Sequence, residues 1–258
     1  MRCYKDLSTY EVNWKFINDA WVSAITVCAQ NLDPQVTTSE NKIYVFTNSE
    51  YVDWVEDAGS DSSHEANNVI ATLRSQGFNL SMFTSIDFSS VTRLAGKRGM
   101  IIMPEMETND LDPDLTSEAR TRLSNWVNRG GCLVMFNPDE GSGIEVLNNV
   151  FSFSLGINDI NDPISLTEAG ASLSAFASAP SEIVVENATV SLNTDTLPVD
   201  SVIVYSGSGS NQSAVTLIRY GSGSIFIIGW DWYGAAPIGG EDGGWLDVLR
   251  KFVRSKMG

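Results

Sequence analysis

The chain reads as an α/β protein with three layers: a mostly parallel sheet, helices on both faces, and antiparallel additions in the C-terminal half. Three observations point there. Short apolar runs alternate with amphipathic stretches between Lys42 and Phe136, the pattern of βαβ units with right-handed crossovers. Gly77 and the pair Gly130-Gly131 stand where helices should stop and strands begin, as C-terminal glycines do. Finally, Gly221-Ser-Gly-Ser leads into Ile225-Phe-Ile-Ile228. That continuous apolar run reads as a strand buried on both faces, hence central.

Taken in order, Ser8-Thr-Tyr-Glu11 fits a capping box. Trp14, Ile17, Trp21, Ile25 and Cys28 follow at helical spacing, one apolar stripe that packs on the domain or mediates self-association. Residues 32–41 are a polar linker, so residues 1–41 form a helix with its linker and 42–258 a single domain. Lys42–Thr47 is the first strand, followed by a polar loop holding Glu50, Asp53, Glu56 and Asp57. Ser62-Ser-His-Glu65 reads as a second capping box, and Ala66, Val69, Ile70 and Leu73 share one helix face. Phe78–Phe83 and Gly99–Met103 are strands two and three. Thr116 caps a helix with Ala119, Leu123, Trp126 and Val127 on its face, and Cys132–Phe136 is strand four. Past residue 156, Ser, Asn, Thr and Ala dominate, and the runs 182–185, 201–205 and 214–218 read as short strands continuing the same sheet. Trp245, Val248, Leu249, Phe252 and Val253 define a last helix.

With 16 Lys and Arg against 32 Asp and Glu, the formal charge is −16. Such a field repels phosphate backbones and anionic membranes, so nucleic acid is excluded as a partner; cations, glycans and basic proteins fit it. No run reaches the roughly 18 apolar residues of a membrane span. Ala20–Ala29 imitates a signal core, with Val27-Cys28-Ala29 as its cleavage site. The preceding Asp6, Glu11 and Asp19 argue instead for a retained helix. Cys3, Cys28 and Cys132 include no C-x-x-C pair, which leaves no zinc spacing. Pairing of Cys3 with Cys28 stays open. The Ser/Asn/Thr/Gly texture favours an extracellular or cell-surface setting over the cytoplasm.

The series of strand, acidic loop, helix and strands, closed by Asn125-Trp-Val-Asn-Arg-Gly-Gly-Cys-Leu-Val-Met-Phe136, resembles the class I glutamine-amidotransferase-like fold, a flavodoxin-like architecture. Within it, trehalose-utilisation-type proteins are similar: a helix ending in Gly-Gly feeds a strand, and a late Tyr-Gly-x-Gly hairpin, here Tyr220-Gly-Ser-Gly223, leads to another. The resemblance covers roughly residues 42–256. It implies a Cys–His–Glu site in amidotransferases proper, and this sequence departs from it. Cys132 opens its strand, and the single histidine, His64, lies far upstream. A thiol or serine nucleophile needs a base in reach, so no Cys-His-Glu or Ser-His-Asp set can be assembled.

Ligands of open α/β sheets bind beyond the carboxyl ends of the strands, and there this sequence collects carboxylates. Glu50 follows strand one, Glu105 and Glu107 strand three, Asp139 and Glu140 strand four, and Asp231 the central late strand. Glu50, Asp139, Glu140 and Asp231 are the candidate metal ligands, and calcium, which takes six to eight oxygens, is the matching cofactor. Trp230, Asp231, Trp232, Tyr233, Glu105, Glu107 and Asn137 are the candidate ligand contacts, the aromatics as stacking faces for a sugar or as core. Two functions follow. One is a non-catalytic binding or assembly module that takes a glycan, a divalent cation or a protein partner. The other is a carbohydrate-active, metal-assisted hydrolase working through Asp231 with Glu105 or Glu107.

Overall fold

A computed structural model describes residues 42–139 and 142–257. The helix and linker expected over residues 1–41, with Cys3 and Cys28, and Glu140 lie outside the described residues. Among the described residues, nine strands form one sheet in the order β2-β1-β3-β4-β12-β11-β9-β6-β7. The first five, β2 (Leu80–Phe83), β1 (Ile43–Phe46), β3 (Met100–Met103), β4 (Cys132–Phe136) and β12 (Gly223–Ile228), pair in parallel. From β12 onward, β11 (Val215–Tyr220), β9 (Ser201–Ser206), β6 (Ile164–Leu166) and β7 (Glu182–Ile183) pair antiparallel. The fold class is therefore the α/β sheet with C-terminal antiparallel additions, and β12 is interior, flanked by β4 and β11. Register Ile225↔Leu133 on one side and Ile225↔Ile218 on the other fixes it there.

Helices cover both faces. On one side α1 (Glu65–Ser75) and α6 (Trp245–Met257) pack Val69, Leu73, Val248 and Phe252 on Val45, Ile102, Val134 and Phe226. On the other, α2 (Ser89–Ala95), α3 (Ser117–Asn128) and α4 (Gly143–Phe151) pack Val91, Leu123 and Leu147 on Phe46, Ile101, Met135 and Ile227. The alternation of strand side chains between faces makes both layers apolar. Burying side chains such as these contributes roughly 1.5–3 kcal/mol each before chain entropy is counted.

Local signals account for most boundaries. Gly77, at φ +87°, ends α1, with the Phe78 N–H donating to the Leu73 carbonyl and the Gly77 N–H to that of Arg74, a Schellman closure. The Thr116 hydroxyl accepts the Ala119 N–H and caps α3. Gly130 needs its φ of +117°, and a Cβ on Gly131 would meet the Trp126 indole at 2.4 Å.

Several expectations need correction. The capping box over 62–65 does not form: His64 is the N-cap of α1 and its side chain makes no cap bond. It turns instead to Asp53. The strand expected over 182–185 shortens to Glu182–Ile183 at the sheet edge. Helices α2 and α4, α5 (Glu168–Ser172), and a small second sheet of β10 (Gln212–Ser213), β8 (Ser191–Asn193) and β5 (Ile157–Asn158) were not expected. The strands and α5 are too short to carry a period of their own, whereas α4 does carry one, Ile144, Leu147, Val150 and Phe151 facing the core, and the sequence reading passed over it.

Candidate functional site

The chain leaves β1 for β2 on one side and returns through α2 to β3 on the other. The carboxyl ends of β1 and β3 therefore flank a topological switch point, the crevice where open α/β sheets bind ligands. Five segments meet at this edge. The β1–α1 loop brings Asp53, held by both oxygens to His64 Nδ1 at 2.8 and 3.0 Å. The first residue of α1 is Glu65, only 4% exposed. The β3 tip brings Glu105 and Glu107, and the Thr108 N–H bonds the Tyr51 carbonyl to tie the two loops together. At the β4 tip, Asn137 donates from Nδ2 to Glu105 Oε1 at 2.7 Å. The β12 tip contributes Asp231, whose Oδ1 accepts the Tyr233 N–H at 2.9 Å.

The electrostatics are those of crowded acids deprived of water. Burial pushes the Glu65 carboxyl far above the ordinary carboxylate range, and the charges of Glu107, Asp53 and Asp231 add to the rise. Glu105 is pushed up to about 8, by burial first and then by Asp231, against the lowering hydrogen bond from Asn137. Asp231 rises to about 6, by burial and by Glu107 and Glu241. No Lys or Arg is among the causes of any of these three shifts. A buried carboxylate without a counter-charge takes up a proton or a cation instead. Oxygens of Asp53, Glu65 and Glu107 all lie within 4.8 Å of one another, and Glu65 Oε2 is buried with no hydrogen-bond partner among the described residues.

Of the residues singled out from sequence, Glu105, Glu107, Asp139, Asn137 and Asp231 meet at this edge, since Glu105 feels Asp231, Glu107 and Asp139 together. Glu50 is exposed on the β1–α1 loop and stands outside the three-carboxylate group. Trp230 and Trp232 require a correction. Both are fully buried, packed on each other at 4.6 Å, with Trp232 edge-on to Phe136 and Trp230 beside Trp245. Neither offers a face to a sugar; they form the floor beneath Asp231. Trp232 holds φ at +80°, a costly conformation for a bulky residue. Asn68 Nδ2, donating to its carbonyl, and Thr72 Oγ1, accepting from its indole N–H, keep it there. Tyr233 alone of the three aromatics is exposed.

Asp53, Glu65 and His64 were missed as site residues. Glu65 sits three residues after Ser62 and was absorbed by the capping-box reading. The usable signal was topological: the residue opening the helix after the first strand lies at the same sheet edge as the strand tips.

No family model matches this chain, and no curated protein matches it. Solved structures do. A cytoplasmic protein of Salmonella typhimurium superposes with a TM-score of 0.54 at 12% identity, over 83% of this chain and 98% of that one. A putative ThuA-like protein of Bacteroides uniformis gives 0.52 at 15%, over 83% and 90%. A β-galactosidase of Bacillus circulans gives 0.54 at 14%, over 84% of this chain and 31% of that one. The chain thus spans about a third of the β-galactosidases it matches. At these identities the likeness shows the fold alone: a three-layer α/β scaffold shared with ThuA-like proteins.

Proposed function

We propose that this chain is a non-catalytic binding module whose seat, at the tips of β1, β3, β4 and β12, holds a divalent cation. The observation that carries the reading is the convergence of Asp53, Glu65 and Glu107 within 4.8 Å, one of them buried with an unpartnered oxygen. Two oxygens on one calcium ion, each about 2.3–2.6 Å from it, are at most about 5 Å apart. An all-carboxylate set suits a hard cation, and the His64 contact on Asp53 fixes that ligand from behind, as outer-shell partners do. A glycan or protein group then completes the coordination, with the exposed Tyr233 at the lip.

Calcium titrated into chelator-treated protein tests this by calorimetry. Saturable binding is expected, with affinity at least about tenfold weaker in Glu107→Gln, since one ligand to a divalent ion is lost. Glu107 is exposed, so that variant folds. Absence of binding up to about 10 mM calcium, beyond even weak extracellular modules, removes the site.

A second reading, a carbohydrate-active hydrolase, is favoured by one observation. Burial lifts Glu105 to about 8 and the neighbouring Asp231 only to about 6, the kind of split that separates a general acid from its partner carboxylate. Hydrolysis of nitrophenyl glycosides that disappears in Asp231→Asn selects this reading; its absence across a panel leaves the binding module.

A further inference from the structure

The opposite end of the sheet carries a cluster of the opposite charge. Trp245, the first residue of α6, packs beside Trp230 at the strand tips, and Phe252 stacks on Phe226 at 3.7 Å. Helix α6 therefore runs antiparallel to β12, and its last turns lie at the amino ends of the strands. Lys256 accordingly acts on Cys132, the first residue of β4. There a cavity of about 420 Å³ is lined by Arg250, Lys251, Arg254 and Ser255 of α6, with Ser174 and Ala175 from the turn after α5.

This concentration of cations is not a property of the surrounding chain. Residues 142–257 contain five Lys and Arg, and four of them fall within 250–256. Arg254 and Lys256 have a local reason, because cations suit the last helical turn. Arg250 and Lys251 lie before that turn, where the helix dipole no longer accounts for them. Both are held in place: Arg250 on Asp247, and Lys251 by donating to Ser178 Oγ at 2.9 Å while 3.6 Å from Asp247. Arg254 makes no ion pair among the described residues and is exposed. Three cations against one carboxylate leave a local charge of +2, and the lining presents guanidinium, ammonium and hydroxyl donors with no acid among them.

We propose that this cavity binds a phosphate group, as inorganic phosphate or as a phosphate monoester. A phosphate carries nearly two negative charges at neutral pH and three acceptor oxygens. Arginine forks match that geometry in pairs, and lysine adds a point charge. On a chain of net charge −16, it is this local excess of positive charge that draws an anion in.

The test titrates inorganic phosphate into the full chain, against sodium chloride at matched ionic strength, by calorimetry and thermal shift. Saturable, phosphate-specific stabilisation is expected, with affinity about tenfold weaker in Arg254→Ala and in Lys251→Met, the loss of one charge-assisted contact. Glu107→Gln, at the other end, leaves it unchanged. Phenyl phosphate binding more tightly than inorganic phosphate assigns the site to a phosphorylated ligand, and equal affinity assigns it to free phosphate. Chloride reproducing the effect, or unaltered affinity in a folded Arg254→Ala, overturns the proposal. So does self-association of the chain that is lost in Arg254→Ala with no phosphate response, which would make the occupant the acidic edge of a second copy.

Discussion

The two ends of the sheet differ in how their charges are kept. At the carboxyl ends of β1, β3, β4 and β12, Glu65 and Asp231 are buried and Glu105 half-buried among like charges, and desolvation raises all three. At the amino ends, Arg250 and Lys251 share an internal counter-ion, Asp247, and Arg254 stays in water. The first arrangement costs stability until a proton or cation arrives; the second is nearly neutral, because exposed pairs contribute little either way. A site that stores unfavourable charge needs a rigid floor, and Trp230, Trp232 and Phe136 supply one. At the basic end the cations all come from a single helix, α6.

The largest effect should come from removing that floor. Trp230→Ala is expected to cost about 3–5 kcal/mol in urea unfolding, the range for deleting a buried aromatic. A loss under about 1 kcal/mol would mean the floor carries no load and the contrast is false.

Next in size is the pH response. A carboxyl whose pKa is raised on folding binds more protons folded than unfolded, so its contribution is present below the unfolded value and lost as pH rises through the folded one. For Asp231 the window runs from 3.8 to about 6, and for Glu105 from 4.5 to about 8. Metal-free protein should therefore lose melting temperature as pH rises from about 4 to about 8, and calcium should flatten the decline. Glu65→Gln should flatten it without calcium. Asp87 and Glu118, exposed and held below the usual carboxylate range by hydrogen bonds to nearby backbone and Ser or Thr groups, act in the opposite sense at lower pH. A melting temperature that climbs between pH 5 and 8 in chelator would contradict the buried-acid account.

The smallest effect is expected at the basic end. Arg254→Ala should change unfolding stability by less than about 0.5 kcal/mol, as for exposed substitutions generally. A larger change would show that the cations hold the helix in place instead of standing ready for a ligand.

Much of this was legible in the chain itself. Continuous apolar runs and period-3.6 patterns, with Gly77, Thr116 and Gly130-Gly131 as punctuation, determined β1, β3, β4, α1, α3 and the central place of β12, because those signals act over a few neighbouring residues. That Glu105, Glu107, Asn137 and Asp231 would share one edge followed from parallel strands pointing the same way. Tertiary structure alone decided the rest. Whether Trp230 faces a ligand or the core depends on how α6 folds back over the strand tips and on β4, far upstream in sequence. Whether Glu65 caps a helix or joins Asp53 and Glu107 depends on a loop folding back against it. The raised carboxyls exist only because distant segments exclude water together, and no local pattern records which acids will be shut in.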